Sequence, residues 1–551
     1  MSGLVFNIDG MEIRVDESKI RLSELAKLVE ENYQGHICMG IIDNRLYDLN
    51  RIIYKSCSIK FLDTTTEDGT RLYFRGLSLL LVIASQNLFG KSRVSIKHSL
   101  GDGLYCEIEN GHLLSEDDIA NIKMEMINVV KNDYPIVCKY MTNDQAINLF
   151  ENLGRIEKSE LLKYRKDDLT RVYECNGYMD YFYGYMFPST GYLTDIDVAK
   201  MSKGLIILGP KNGVKGTTTE LKEHIKLSEI YNESEAWSNT LGIFNVVDLN
   251  QIIEDGRYGE MIRTVEALHE KKIAEIAEKI VEKNSKVILI AAPSSSGKTS
   301  FAQRLSIQLK VIGLNPLPIS LDDYFVDRKL TPLDEYGKYD YESIYSIDLE
   351  KFNEDLDKLI NGEEIERIRF DFIEGKRVYT GETLSVKKGQ PIILEGIHCL
   401  NPILTKKIDD EFKFKIYISV ITQVNLDDHN RISTSDLRLL RRMVRDNSSR
   451  GLNAEQTIEI WPSVRAGEIK NIFPYQEEAD IMFNSASVYE LSVLKPIADN
   501  LLKSIDTESP NYLEAMRLRK MLQYFDEITD LEDIGPTSII REFIGGSRIL
   551  V

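Results

Sequence analysis

The sequence predicts a multidomain chain in which two α+β units precede a larger α/β unit, its parallel sheet flanked by helices. Three observations lead there. At 551 residues the chain exceeds what one hydrophobic core organises, so two to four domains are expected. After residue 285, short and nearly continuous apolar runs alternate with helical patterns, as a sheet buried on both faces requires. Before residue 210, strand-like pieces mix with a few amphipathic segments instead.

Composition narrows the class of protein. Hydrophobic residues are 43% and charged residues 28% of the chain, which is the profile of a soluble globular protein. A formal net charge of −19 argues against a chain that coats nucleic acid non-specifically. The six cysteines are scattered without a CxxC pair, which argues against a zinc ribbon and for a reducing, cytoplasmic setting. The run Leu77 to Ala84 is under half a membrane span, and the N-terminus lacks the pattern of a signal peptide, so no membrane association is expected.

The elements follow in order. Phe6–Ile8 and Glu12–Val15 flank Asp9-Gly10, a hairpin turn signal. Leu22, Leu25, Leu28 and Val29 repeat at helical spacing, and Ser58 to Leu62 reads as a strand. A first unit is therefore set at 1–66 and a second at 67–210, the latter rich in tyrosine over 173–192. A charged connecting region is set at 211–270. Ile273, Ile276 and Ile280 form an apolar stripe at the start of the α/β unit, 271–495. Its strands are expected at Val287–Ala292, Pro318–Leu321, Ile392–Leu394, Phe412–Val420 and Ile481–Phe483. A helical tail, 496–551, closes the chain.

The sharpest chemical signal follows the first of those strands. Pro293, Ser294, Ser295, Ser296, Gly297, Lys298 and Thr299 form a small-residue loop that enters a helical segment at Ser300. Strand, loop and helix start make the context of a phosphate-binding loop, in which backbone N–H groups and the helix dipole converge on phosphates. Gly297 permits close backbone approach, Lys298 suits the β/γ-phosphates, and the Thr299 hydroxyl suits Mg²⁺. The first position of the GxxxxGK[ST] pattern is Ala292, small enough for the turn. A nucleoside triphosphate is the expected ligand of this loop.

Carboxylates past the ends of two further strands suggest what happens to it. Asp322 and Asp323 follow the second strand, and Glu395 closes Ile392–Leu394, where an open α/β sheet presents its ligand crevice. A carboxylate at 322–323 can accept a proton from an attacking hydroxyl, and Glu395 can hold Mg²⁺ or its water shell. Arg438, Arg441, Arg442 and Arg445 share one broad helix face, with Arg450 at its exit. Such arginines can close over a triphosphate and stabilise charge in transfer.

Together these segments, over roughly 285–490, resemble the uridine kinase and phosphoribulokinase family of P-loop kinases. The resemblance implies a general base at Asp322, through Asp322-Asp323-Tyr324-Phe325. It implies an acceptor diol held by Asp340, through Tyr339-Asp340-Tyr341-Glu342. The LEG turn matches at Leu394-Glu395-Gly396, and the arginine lid at Arg441 to Asp446 with Arg450-Gly451 after it. The chain departs from the pattern where pyrimidine nucleoside kinases place a Tyr and a His against the base: the segment RFDFIEGKR has Phe370 and Gly375 there. Phe370 and Arg377 are left as its acceptor-side candidates. Tyr341-Glu342 replaces a His-Pro, and Leu452 stands at one lid arginine position.

The N-terminal half carries its own resemblance. Residues 1–66 look like a TGS domain, a small β-grasp module of threonyl-tRNA synthetases. Residues 70–200 resemble the editing-type second domain of those enzymes, through Glu67 to Phe74, Tyr173 to Asp180, Gly184 and Pro188 to Gly191. At the HxxxH and CxxxH positions of that domain the chain has Arg75, Leu79, Phe182 and Met186, so neither editing nor metal binding is implied. His98, elsewhere, is expected to be an ordinary packed or surface histidine.

The expected activity is a Mg²⁺-dependent transfer of the ATP γ-phosphoryl group to a small-molecule hydroxyl, with a nucleoside 5′-hydroxyl as leading acceptor. Lys298 and Thr299 would hold phosphates and metal, and Arg442, Arg445 and Arg450 would cover the reaction. A sugar phosphate is the alternative acceptor. A nucleotide-gated protein that contacts RNA or tRNA through its N-terminal half is the alternative of another class. No N/TKxD segment supports a GTPase.

Overall fold

The computed structural model describes residues 3–222, 224–333, 337, 339–371 and 374–549. The first unit is a five-stranded sheet in the order Met11–Val15, Leu4–Ile8, Cys57–Asp63, Ile37–Ile42, Arg45–Asp48. Asp9 (φ 48°) and Gly10 (φ 88°) both take positive φ, the condition for a two-residue turn that matches strand twist. The turn sets Ile8 opposite Met11, so Phe6 and Ile8 point into the core. Helix Leu22–Val29 covers the sheet with Leu22, Leu25, Ala26 and Val29. Leu28, expected on that stripe, faces solvent at 61% exposure, because it stands one position before the buried Val29, about 100° round the helix.

In the second unit, helix Glu67–Phe89 lies under a four-stranded antiparallel sheet ordered Asp197–Met201, Gly204–Leu208, Gly103–Glu109, Arg93–Leu100. By length and composition alone this helix could cross a membrane, contrary to the expectation from the sequence, which weighed only Leu77 to Ala84. Here 67% of its most apolar window is buried inside the fold, so its apolarity serves a protein core. A three-stranded sheet, Val137–Thr142, Leu169–Cys175 and Tyr178–Tyr181, takes up part of the tyrosine-rich stretch. His98 stacks between Tyr105 (5.0 Å) and Tyr231 (3.3 Å), and burial pushes its imidazole down to about 3.

Residues 225–282 are helical rather than loosely patterned, as Ile225–Leu241, Val246–Glu254 and Tyr258–Glu282. The last of these runs unbroken through 270/271, and Glu490–Lys503 runs through 495/496, so neither position interrupts the chain.

All five strands expected in the α/β unit join one parallel sheet, in the order Leu317–Ser320, Ile392–Glu395, Val287–Ala291, Lys413–Ser419, Ile481–Asn484. Alternation assigns their side chains to two cores. Leu289, Leu394, Tyr417 and Met482 enter one, and Ile288, Ile393, Ile416 and Phe483 the other. Burial on both faces explains why these strands read as continuous apolar runs. The carboxyl ends of the first three strands in that order deliver Ser320, Glu395 and Ala291 to one edge, where the candidate site forms.

The tail is part of the core. Leu518, Met521, Phe525, Ile534 and Ile540 share one cluster with Phe150, Leu161 and Tyr181 of the N-terminal half and Leu437, Leu440 and Met443 of the helix Thr434–Arg445. Lys158, fully buried, bonds Asp180 at 2.9 Å and Asp427 at 3.2 Å, and His429 Nδ1 meets Asp180 at 2.6 Å. Burial alone would raise Asp180; Lys158 and His429 beside it hold its carboxyl far below the usual range.

Candidate functional site

The loop after Val287–Ala291 ends at Gly297, which takes φ +74° and starts helix Lys298–Val311 with no side-chain cap. Ser295 (φ 60°) bends the loop as well, and such alternating turns gather N–H groups into an anion-binding concavity. A Cβ at Gly297 would lie 2.3 Å from Ile539 Cγ2, so glycine is needed there for conformation and for space. Gly297 has no side chain to cap the first helical turn, where the Ser300 N–H is taken by Glu542 at 3.3 Å. Among the described residues Ser296 Oγ is buried without a hydrogen-bond partner. A glycine-led helix start, a bent loop and an orphan hydroxyl fit a polyphosphate.

Lys298 pairs with Glu395, whose other oxygen accepts from Ser320 Oγ at 3.0 Å. Burial opposes the charge on Lys298, but Glu395 and Asp322 outweigh it and raise its pKa. Asp322 lies in the same pocket. Burial pushes its carboxyl up, Lys298 pulls it down, and Glu395 pushes it up again, leaving a net rise. Asp323 points elsewhere and accepts from the Phe370 N–H at 3.4 Å. The Asp-Asp pair is thus divided between the loop and the hairpin Ile365–Asp371/Lys376–Leu384. Thr299, half-buried in the first turn of the helix, stands beside Lys298.

The arginine helix, Thr434–Arg445, divides as well. Arg438 pairs with Glu468 and donates from Nε to the Ser294 carbonyl at 2.9 Å. Arg441, fully buried, pairs with Glu490 and reaches the Ser295 carbonyl at 3.3 Å. These two brace the loop's backbone. Arg442 Nη1 donates to Ser294 Oγ at 2.9 Å and Arg445 Nη2 to Ser295 Oγ at 3.2 Å. Both therefore stand at the loop's side chains. Arg450, half-exposed, pairs with Asp446 at 3.3 Å, as does Arg442 at 3.1 Å.

The acceptor-side candidates each have neighbours of their own. Asp340 Oδ1 accepts from the Glu342 N–H at 3.1 Å. Phe370 meets Phe325 with ring centroids 5.6 Å apart. Arg377 is committed to Asp348 at 2.7 Å, at the start of helix Leu349–Ile360. Residues 372 and 373 of the segment RFDFIEGKR lie outside the described residues. Gly375 takes φ +67°, and a Cβ there would meet Arg328 Nε at 2.7 Å, so a side chain at this position would be strained.

Sequence reasoning missed four carboxylates. Glu342, half-buried, is pushed up to about 8 by burial and by Glu468, against Arg442. Glu468 accepts from the Ser294 N–H at 2.9 Å. Asp446 joins Arg442, Arg445 and Arg450, and its position four residues after Arg442 was a usable signal. Glu542 comes from the tail: it accepts from Ser300 Oγ at 2.8 Å and from Arg445 Nη1 at 3.4 Å. No local pattern announces it.

A strand, a phosphate-type loop and a parallel sheet with Lys298, Asp322 and Glu395 at its edge define a nucleotide-binding α/β domain of the P-loop class. The family can then be named: residues 287–492 match the phosphoribulokinase/uridine kinase family and form a domain of it. The N-terminal part is homologous to threonine–tRNA ligases. The ligase of Syntrophomonas wolfei is 25% identical over 195 residues, 35% of this chain and 31% of that protein. The ligase of Carboxydothermus hydrogenoformans is 28% identical over 183 residues, 33% and 29% of the two chains. The chain thus spans about a third of the length of these curated relatives. Among solved structures, a candidate uridine kinase from Bacillus stearothermophilus aligns with 39% of this chain and 98% of its own, at 18% identity and a TM-score of 0.27. A candidate fructose transport system kinase from Silicibacter sp. TM1040 aligns with 38% and 98%, at 18% identity and 0.28.

Proposed function

We propose that the chain transfers the γ-phosphoryl group of ATP to a hydroxyl of a small molecule, with a nucleoside 5′-hydroxyl as acceptor. The observation that carries this reading is the meeting of Lys298, Asp322 and Glu395 beside the loop Pro293–Gly297. The loop's N–H groups, with Ser296 and Ser300, hold the phosphates, and Lys298 swings from Glu395 to the β/γ-phosphates. Thr299 and Glu395 would hold Mg²⁺, which would neutralise charge on the transferring group. Asp322 takes the acceptor's proton, and its raised pKa makes it a stronger base for that step. Arg442 and Arg445, already at the loop's hydroxyls, stabilise charge during transfer, and Arg450 follows from the exit of the helix. Asp340, Phe370 and Arg377 border the acceptor.

The test is ADP release from Mg-ATP against a panel of nucleosides and pentose phosphates, with Asp322→Asn beside the parent. Stimulation by one acceptor and no response from the variant is the expected result. An Asp322→Asn protein that turns over at the parent's rate sinks the assignment of the base.

A second reading, a nucleotide-gated protein that contacts tRNA, has one observation in its favour. Asp436, in the first turn of the arginine helix, is held by Arg517 of the tail at 2.7 and 2.8 Å and by Arg71 of the N-terminal half at 3.4 Å. The N-terminal half therefore touches the element that carries Arg442 and Arg445. Filter binding of tRNA with and without Mg-ATP separates the readings: ATP-dependent retention with no stimulated ADP release favours the second.

A further inference from the structure

A cavity of about 980 Å³ lies away from the phosphate loop, and none of residues 293–300 lines it. Three parts of the chain wall it: the N-terminal half, the segment Leu426–Asp436 that leads into the arginine helix, and the tail around helix Tyr512–Leu522. Its volume is within the range of small-molecule sites.

Charge distinguishes it. Arg75, Arg171 and Lys520 all line the cavity, and none makes an ion pair among the described residues. Arg75 donates to the Tyr185 carbonyl at 2.7 Å, and the Arg171 guanidinium lies 4.4 Å from the centre of the Tyr185 ring. The nearby Asp167 is engaged by Arg165 at 2.8 Å. The cations feel one another: burial, then Arg171, pushes Lys520 down, and burial pushes Arg75 down to about 10, with Arg171 adding to it. By contrast Arg71 and Arg517, in the same wall, are matched by Asp436 and Glu514. Gathering unmatched cations costs free energy, and an anion of charge about −2 removes that cost. A phosphate monoester has that charge at neutral pH.

The remaining wall suggests what the phosphate is attached to. Tyr183 and Tyr185 line the same space half-buried, with flat rings and polar edges, whereas Tyr181 and Tyr524 are buried. Tyr183 is fixed by its hydroxyl on the Arg517 carbonyl at 2.5 Å. Such faces stack on a planar ring.

We propose that this cavity binds a mononucleotide, its phosphate on Arg75, Arg171 and Lys520 and its base against Tyr183 and Tyr185. The site is separate from the phosphate loop and independent of which acceptor that loop serves.

The experiment is calorimetric titration of AMP, GMP, UMP and CMP into the full-length chain saturated with Mg²⁺ and a non-hydrolysable ATP analogue, which fills the phosphate loop. One of the four binds at one per chain. Arg171→Gln and Lys520→Gln each weaken it by about tenfold or more, as loss of a charge-assisted bond does, at unchanged melting temperature, and Arg171→Lys restores most of the affinity. Nucleoside alone and inorganic phosphate alone bind more weakly. No binding by any mononucleotide overturns the proposal, even where an RNA oligomer is retained. Binding that the analogue displaces, or that both Gln variants leave unchanged, overturns it too. Inorganic phosphate as tight as the mononucleotides overturns the role of the tyrosines.

Discussion

The Glu542 carboxylate accepts a hydrogen bond from Ser300 Oγ at 2.8 Å, although 242 residues separate the two. The same carboxylate takes the Ser300 N–H at 3.3 Å and Arg445 at 3.4 Å. A carboxylate thus uses a donor at the edge of the loop and an arginine that a triphosphate would also use. Glu542→Gln should tighten binding of a Mg²⁺-bound, non-hydrolysable ATP analogue by about three- to tenfold, since one anion no longer competes with another. Calorimetry of the variant checks this. Equal or weaker binding means that Glu542 braces the loop and does not compete.

Asp322→Asn should lower acceptor-dependent turnover by about 10²–10⁴-fold, the usual contribution of a general base, while leaving ATP binding within about threefold. Asp323→Asn, whose carboxylate faces Phe370 instead, should cost less than about tenfold. Steady-state rates of the two variants decide which aspartate acts.

Glu342 makes stability depend on pH. Its carboxyl titrates near 4.5 in the unfolded chain and at about 8 in the folded one. Between those values the folded state binds more protons, so this group's contribution is complete below about 4.5 and is lost as pH rises towards 8. The denaturant midpoint should therefore fall across that window, and Glu342→Gln should flatten the fall. A parent and variant with parallel profiles would place Glu342 in solvent.

Arg441 and Glu490 form a pair that is almost wholly buried, at 0% and 1% exposure. Arg441→Met should destabilise the domain by about 3–5 kcal/mol, because Glu490 is left charged without a partner. Arg441→Met with Glu490→Met should recover much of that loss. Unfolding curves of both are the measurement, and a double variant as unstable as the single one would assign the cost to the lost Ser295 and Ser485 contacts.

By itself the sequence determined the parallel sheet, the phosphate loop and the order of the motifs, because these depend on local signals. Val287 to Ala291 reads as a buried strand since both of its faces are covered, and Gly297 and Lys298 follow at fixed spacing. The hairpin at Asp9-Gly10 was legible for the same reason: two neighbouring residues set its turn. Tertiary structure alone decided the rest. Whether an arginine braces or reaches depends on the carboxylate opposite, so Arg438 and Arg441 went to Glu468 and Glu490 while Arg442 and Arg445 went to serine hydroxyls. Asp322 and Asp323 are adjacent in sequence, yet one tight turn sends them to different neighbours. Glu542 at the loop and Lys520 beside Arg171 come from a tail that read only as helical. Charge pairing between distant segments follows from how the cores pack, and no window of sequence contains both partners.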